Sequence, residues 1–368
     1  MQLTPEQLRA VQSWQRGDIC VVAGPGSGKT RVLVERLRWL IVERRVRPER
    51  ILAITFTEKA ALEMHSRLVG ESSPASEYRS LFESAQISTI DAFCSRLLRE
   101  HALEAGVDPG FEMLDAGEAD ELLAVAIEDA LDEAFGKGGP DLEAFLEGYA
   151  PGAARSAGED ATSIQRDLAS LVYRIRSYGC MPFIQRSTPP LRALSEALRS
   201  LSQIKRAEEF EHAADEATVS STKDVATLAA TLESIAALVK PVQKRGALKQ
   251  LVGEIKDELL PACRSAAASA ANEPGRKWLR RLARRTLDDF GAAKQASGRL
   301  DFDDALALAA DLLGSRDCPS LAFEHILIDE FQDTNPLQVR LVERLLDAHG
   351  DHRPVRFVVG DINQSIYG

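Results

Sequence analysis

Five short apolar runs punctuate the chain: "DICVVA" (18–23), "ILAIT", "QISTI" (86–90), "HILID" (325–329) and "VRFVVG" (355–360). They are mostly continuous rather than alternating, the pattern of strands covered on both faces. Between the first three the spacing lengthens to that of amphipathic helices, in "TRVLVERLRWLIVERR" and "EKAALEMHSRLV". Strand–helix–strand alternation predicts a parallel sheet. From His101 to Arg299 the strand signals vanish. Alanine and leucine recur at helical spacing, as in "EADELLAVAIEDALDEAF", and breaks at "GVDPG", "GKGGP" and "YAPGAA" divide the stretch into several helices. The predicted architecture is one α/β domain, residues 1–107 and 298–368, interrupted by a large all-helical insertion over 108–297. The ends of such an insertion should lie close together, because they leave and re-enter the same domain.

Length and composition narrow the class. A chain of 368 residues accommodates two or three cores, and 45% hydrophobic with 27% charged residues is ordinary for a soluble globular protein. No apolar run approaches the roughly 20 residues of a membrane span. "MQLTPEQLRA" lacks the apolar core of a signal peptide, so no membrane partner is expected. Five scattered cysteines (Cys20, Cys94, Cys180, Cys263, Cys318) suit neither a disulfide framework nor a zinc site, which makes a reducing cytoplasm the expected location. The net charge of −11 at first argues against nucleic acid. It is uneven, however: about +3 over 1–100, −14 over 101–160, +8 over 161–300 and −8 over 301–368. About fourteen basic residues fall between Lys240 and Arg299.

The segment "AGPGSGKT" (23–30) follows an apolar strand and opens an amphipathic helix, the context a phosphate-binding loop requires. Gly24, Gly26 and Gly28 allow positive φ, so that backbone N–H groups of Ala23, Gly24, Gly26, Ser27 and Gly28, around Pro25, turn toward phosphates. The helix start adds its partial positive charge. Lys29 reaches the β- and γ-phosphates of a triphosphate such as ATP, and the Thr30 hydroxyl suits Mg²⁺. Ala23 replaces the usual first glycine, which requires only ordinary φ there. The competing reading is a glycine-rich turn with an incidental Gly-Lys-Thr. A magnesium site needs a carboxylate at a neighbouring strand end, and "ILIDEFQDTN" (326–335) offers Asp329 for the metal and Glu330 as the base that activates water. The competing reading there is an acidic cluster at a helix start. Lys29 and Asp329 lie 300 positions apart, a poor fit to small kinases or GTPases.

At seven places in order the sequence resembles the superfamily 1A DNA helicases, the UvrD/Rep/PcrA group together with the RecB and AddA helicase-nucleases. The matching segments are "LTPEQLRAV", "AGPGSGKTRVL", "ITFTEKAALEM", "ISTIDAFCSRLLR", "LDFDDALALA", "ILIDEFQDTNPLQ" and "VVGDINQSIYG". "TIDAFC" is closer to the RecB/AddA relatives. The resemblance implies a RecA-like P-loop NTPase domain and ATP with Mg²⁺ as cofactors. It implies an adenine contact at Gln7, a nucleotide contact at Arg31, and a γ-phosphate sensor at Gln364 joined to a base-stacking Tyr367. Gln332 and Asp333 are placed to join that relay. The implied activity is 3′→5′ movement on single-stranded DNA, or on DNA with a 3′ single-stranded tail, in repair or recombination. A helicase-nuclease partner subunit is implied as well.

The same motifs have a physical reading toward DNA. In "TFTEKAA" the hydroxyls of Thr55 and Thr57 with Lys59 suit phosphates, and Phe56 offers a stacking face worth roughly 1–3 kcal/mol per base. "STIDAF" repeats the recipe with Thr89 and Phe93. In both, the alternative is a buried phenylalanine behind helix-capping threonines. Relatives often carry histidine where Asp91 stands; a carboxylate repels phosphate, so helix capping is the expected role of Asp91. In "RKWLRRLARRTLDDF" (276–290), Trp278, Leu279, Leu282, Leu287 and Phe290 form an apolar face, with Arg276, Arg280, Arg281, Arg284 and Arg285 outside it. Those arginines either grip DNA or balance the acidic 101–160 stretch.

The chain stops at Gly368, inside the last matching segment. Relatives continue into a second RecA-like domain whose arginine finger is worth roughly 10³–10⁵ in rate. The expectation is therefore an N-terminal portion of a longer enzyme, itself weak as an ATPase and unable to unwind DNA. The competing class is a non-motor ATP- or DNA-binding module, or an inactive truncated homologue.

Overall fold

The computed structural model describes every residue except 1–2, 15–16, 71–77, 150–156, 180–188, 206, 220–224, 243–247, 317, 350–351 and 365–368. The chain forms two compact units. One comprises Met1–Ala124, Ser170–Met181 and Asp289–Gly368, and the other Val125–Ala169 and Pro182–Asp288.

The first unit contains β1 (Ile19–Val22), β2 (Ile51–Thr55), β3 (Gln86–Thr89), β4 (Glu112–Met113), β5 (Arg299–Leu300), β6 (His325–Ile328) and β7 (Val355–Gly360). Five of these make one all-parallel sheet in the order β1-β7-β6-β2-β3. Successive strand residues face opposite sides, so the central strands feed two cores. Leu52, Ile54, Ile326, Ile328 and Val358 pack with the helices Ile90–Glu100, Phe302–Leu313 and Pro336–Asp347. Ile51, Ala53, Leu327, Phe357 and Val359 pack with α1 (Pro5–Gln12), α2 (Lys29–Val42) and α3 (Glu58–Val69). β2 and β6 are buried along their whole length, as continuous apolar runs predict. β1 differs. It is an edge strand, only Ile19 and Val21 meet a helical layer, and Cys20 and Val22 are exposed.

β4 and β5 form a separate parallel pair, with Glu112 opposite Arg299 and Met113 opposite Leu300. Residues nearly 190 positions apart are thereby side by side, and β4 falls inside the stretch 108–297 expected to be all-helical, a pairing of two residues being too short to leave a period in the sequence. The return of Ser170–Met181 to the first unit has no signal in the sequence. Its anchor is Arg176, which donates to Asp301 and, at 3.3 Å, to Asp304 Oδ1. Lys294 Nζ donates to Asp301 Oδ2 at 2.7 Å and also pairs with Asp304. The Phe290 ring lies 5.1 Å from the Arg176 guanidinium and 4.0 Å from the Lys294 ammonium. Asp301 meanwhile caps the helix Phe302–Leu313 through a reciprocal box with Asp304. Burial alone would raise the Asp301 carboxyl, but Arg176 and Lys294 outweigh it and hold it below the usual range.

The described part of the second unit is helical. Leu191–Lys205, Glu208–Val219, Val225–Val239 and Leu260–Ala271 share an apolar cluster that includes Leu198, Phe210, Ile235 and Cys263. In the long helix Glu273–Ala296, Trp278, Leu282 and Phe290 are buried, as the apolar stripe predicts, while Leu279 and Leu287 are only half-buried. Trp278 stacks 4.5 Å from Phe145. Arg281 pairs with Asp141 at 2.6 Å and Arg285 with Glu133 at 3.5 Å. These two arginines answer the acidic 101–160 stretch, the charge-balancing alternative.

Removing one partner of the buried Asp301 network should be costly. Asp301→Ala is expected to lower stability by about 3–5 kcal/mol, read as the urea midpoint at neutral pH. Because the folded-state value of Asp301 is depressed, its contribution is present above an unfolded value of about 3.9 and lost as pH falls through the folded one. The gap between wild type and Asp301→Asn should therefore narrow on acidification below about pH 4.

Candidate functional site

β1 ends at Val22, and Ala23 to Gly28 turn the chain into α2, which starts at Lys29. The Ala23 N–H donates to the Gly360 carbonyl at the end of β7, 2.9 Å away. Gly26 (φ 70°) and Gly28 (φ 82°) occupy the left-handed region that favours glycine. Gly24 does not, contrary to expectation; its carbonyl instead accepts the Ser27 hydroxyl at 2.7 Å, which closes the loop. Gly24, Pro25, Gly26 and Ser27 are exposed. Gly28 stands at the cap of α2, where it offers no side-chain bond. Gln7 lies against this loop: its Nε2 donates to the Ser27 carbonyl at 2.8 Å, while its Oε1 accepts the Thr4 N–H at 2.9 Å. Arg31 is half-buried in the first turn of α2.

The carboxylates follow β6. Asp329, 4% exposed, still donates its N–H to Ile54 at 3.0 Å. Burial, then the neighbouring Glu330 charge, push its carboxyl up to about 6, against the Glu330 N–H, Lys29 and the Thr30 hydroxyl, which lower it. Glu330 has φ 46°, a left-handed conformation that a non-glycine residue takes at a cost. That turn aims its Oε2 at Lys29 Nζ, 2.7 Å away. Burial would raise Glu330, but Lys29 and Gln332 prevail and keep it below its ordinary value, so it is ionised at neutral pH.

Gln332 ties this corner together. Its Nε2 donates to Glu330 Oε2 at 2.9 Å and to Asp333 Oδ2 at 3.0 Å, and its Oε1 accepts the Asp361 N–H at 2.9 Å. A Cβ at Gly360 would sit 2.6 Å from Gln332 Oε1, so only glycine admits this approach. Asp361 is 1% exposed and Gln364 is exposed one turn further on, its N–H donating to the Asp361 carbonyl at 3.0 Å. Thr30 and Asp329 present hard oxygen donors side by side, a set that fits a small divalent cation completing its shell with phosphate and water. Among the described residues, no group of three or more His, Cys, Asp or Glu side chains could hold a metal unaided.

The candidate DNA contacts divide. Phe56 is half-buried, and Thr57 and Lys59 are exposed beyond β2, with the Thr57 hydroxyl also capping α3. Thr55 is 1% exposed and spends its hydroxyl on the Thr57 carbonyl at 3.1 Å. Thr89 is buried and caps the helix Ile90–Glu100 through the Ala92 N–H. Phe93 is 2% exposed and packs near Phe323, which leaves no face for a base; the buried-phenylalanine alternative holds there. Asp91 lies in the first turn, and Thr89 has taken the cap expected of it. Burial, then Asp303, raise the Asp91 carboxyl. Tyr367 lies outside the described residues. Three residues were not anticipated: Gly360, Asp361 and Arg36. Arg36 did leave a signal, as an arginine on the apolar stripe of Val32, Leu33, Leu37 and Leu40.

All these strands are parallel, so their carboxyl ends share one edge. Lys29, Thr30, Asp329 and Glu330 gather over β1, β7 and β6, and Phe56, Thr57 and Lys59 follow β2. The molecule is thus an α/β protein with a glycine-loop site on the carboxyl edge of a parallel sheet. It belongs to the UvrD/REP helicase N-terminal domain family, whose pattern matches residues 3–368. It is similar to an ATP-dependent helicase/nuclease subunit from Lactobacillus delbrueckii subsp. bulgaricus, with 30% identity over 99% of this chain and 36% of the relative. The proteins of the same name from Geobacillus thermodenitrificans (28% identity, 99% of this chain, 35% of the relative) and Alkaliphilus oremlandii (25%, 100% and 35%) are similar as well. The chain spans about a third of the length of these relatives.

A buried carboxyl raised to about 6 binds a proton more tightly in the folded than in the unfolded chain, so it favours folding at low pH and loses that advantage as pH rises through 6. At pH 7.5 the cost is about 2–3 kcal/mol. Asp329→Asn is therefore expected to be about 1–3 kcal/mol more stable than wild type at that pH, with the difference vanishing near pH 4. Chemical denaturation at the two pH values checks it.

Proposed function

We propose that this chain is the ATP-binding motor portion of an ATP-dependent DNA helicase that moves 3′→5′ along single-stranded DNA. Residues 1–107 and 298–368 form its RecA-like domain, and 108–297 form a helical insertion that contacts DNA. One observation carries the reading. Lys29 Nζ and Glu330 Oε2, 301 positions apart in sequence, lie 2.7 Å apart beside Thr30 and Asp329.

In this proposal the exposed loop and the start of α2 take the β- and γ-phosphates, and Lys29 neutralises their charge. Gln7 reads the adenine edge and Arg31 contacts the nucleotide. Bound Mg²⁺ supplies further charge neutralisation at the phosphate oxygens. Thr30 and Asp329 would hold it. Phosphate binding draws Lys29 away from Glu330 and frees Oε2 to accept a proton from the attacking water. Gln332 keeps that carboxylate oriented and links it to Asp361, three positions before the phosphate sensor Gln364. Phe56, Thr57 and Lys59 supply a stacking face, a hydroxyl and a cation to the strand, with Tyr367 as a second stacking group. The names of the relatives support a helicase-nuclease partner for the whole protein, and the scattered cysteines favour a reducing, cytoplasmic location.

In the full-length protein, single-stranded DNA should stimulate ATP hydrolysis. Lys29→Ala should remove both nucleotide binding and turnover. Glu330→Gln should keep binding and lose about 10²–10⁴-fold in turnover. Hydrolysis indifferent to DNA would replace the motor with a non-motor ATP- and DNA-binding module.

A further inference from the structure

α1 is eight residues long, too short to persist without tertiary support, yet it carries Gln7 against the phosphate loop. Its amino end is held by the Thr4–Gln7 capping box and by the bond from Gln7 to Ser27. Its carboxyl end is held by Arg36. This side chain rises from the middle of α2, is 1% exposed, and directs Nη1 at the carbonyls of Ala10 (3.2 Å), Val11 (3.0 Å) and Ser13 (3.0 Å). The Ala10 carbonyl also accepts the Ser13 N–H at 3.4 Å, while those of Val11 and Ser13 are of the kind a helix leaves unpaired as it ends. The guanidinium lies 4.3 Å over the Phe357 ring of β7. The arrangement is costly: burial lowers the Arg36 pKa to about 10, and its Nε has no hydrogen-bond partner among the described residues. A leucine would fill this apolar stripe without that cost, but it could not hold the end of α1.

We propose that Arg36 is a positioning residue for base recognition. By pinning the carboxyl end of α1 to α2, it keeps Gln7 at the loop, so that the site selects a nucleoside triphosphate by its base as well as by its phosphates. The proposal rests on the reading of Gln7 as the base contact. Lys29 and Arg36 are seven residues apart on one helix, about 10 Å along its axis. α1 is therefore fastened at both ends to one rod, α2 with its loop. If Arg36 served only the fold, its loss would weaken every ligand of the loop alike.

The test is calorimetric binding of Mg-ATP and of Mg-tripolyphosphate to the full chain, in wild type, Gln7→Ala, Arg36→Met and the double variant. Arg36→Met should weaken ATP about tenfold, as Gln7→Ala does, and leave tripolyphosphate within about twofold. On the Gln7→Ala background it should add nothing, because both changes remove one interaction. Equal loss of the two ligands, or losses that add in the double variant, overturns the proposal. If Gln7→Ala abolishes the preference for ATP while Arg36→Met retains it, the proposal alone fails. If Gln7→Ala retains the preference, the base-contact reading fails and takes the proposal with it. Should Arg36→Met not fold, Arg36→Lys keeps the cation but ends one bond short of Nη1, and Leu8→Gly loosens α1 at a position 42% exposed. Both should show the same selective loss, and an unchanged preference in them overturns the proposal.

Discussion

The meeting of Lys29 and Glu330 depends on β1, β7 and β6 running parallel and adjacent, in a register that ends them together. Val22 lies opposite Gly360, and Val358 opposite Ile328. A parallel sheet delivers all its carboxyl ends to one edge, and its crossovers must pass over the faces, which is why both faces are packed with helices. The ion pair is the consequence at that edge. A lysine side chain only 9% exposed needs a partner, and Glu330 supplies it by adopting a left-handed turn. Gln332 then steadies the same carboxylate oxygen and is itself admitted only because residue 360 lacks a side chain.

The site also holds several unfavourable local arrangements. Asp329 is buried next to a second carboxylate, Glu330 is strained, and one oxygen each of Asp333 and Asp361 is buried without a hydrogen-bond partner among the described residues. Two large apolar layers around Leu52, Ile326, Leu37 and Phe357 offset these costs. Such a concentration of strain and desolvated charge on a rigid scaffold is expected where charge must be rearranged during chemistry, since relaxed, solvated groups would have little to gain from a ligand. Arg36 and the Arg176–Asp301–Lys294 network are buried charges of another kind: each is met by several partners and each holds a chain segment in place.

Two similar motifs mark the limit of pattern. "TFTEK" and "STIDAF" both promise an aromatic beside hydroxyls. Phe56 comes before its helix and stays half-exposed, whereas Phe93 is in the first turn of its helix and turns into the core with Ile90, Leu97 and Phe323. A residue's place relative to the cap, not its neighbours' identities, sets which way it faces. The same holds for charge. Arg281 and Arg285 are as basic as any DNA-gripping residue, but the fold sets Asp141 and Glu133 against them.

The sequence alone determined what is periodic or contiguous. The apolar runs specified the five strands of the main sheet though not the short pair β4 and β5, the spacing in "EKAALEMHSRLV" specified a helix from Glu58 to Val69, and Gly26 and Gly28 of "AGPGSGKT" specified a loop with left-handed turns. It also carried, as ordered motifs, the residues that gather at the carboxyl edge of the sheet. Tertiary structure alone decided what depends on partners distant along the chain: the burial that lifts Asp329, the glycine at 360 that lets Gln332 in, the return of Arg176 to Asp301, and the three carbonyls on Arg36. Periodicity reports which face of an element is apolar, whereas desolvation and hydrogen-bond saturation depend on which other elements close over that face.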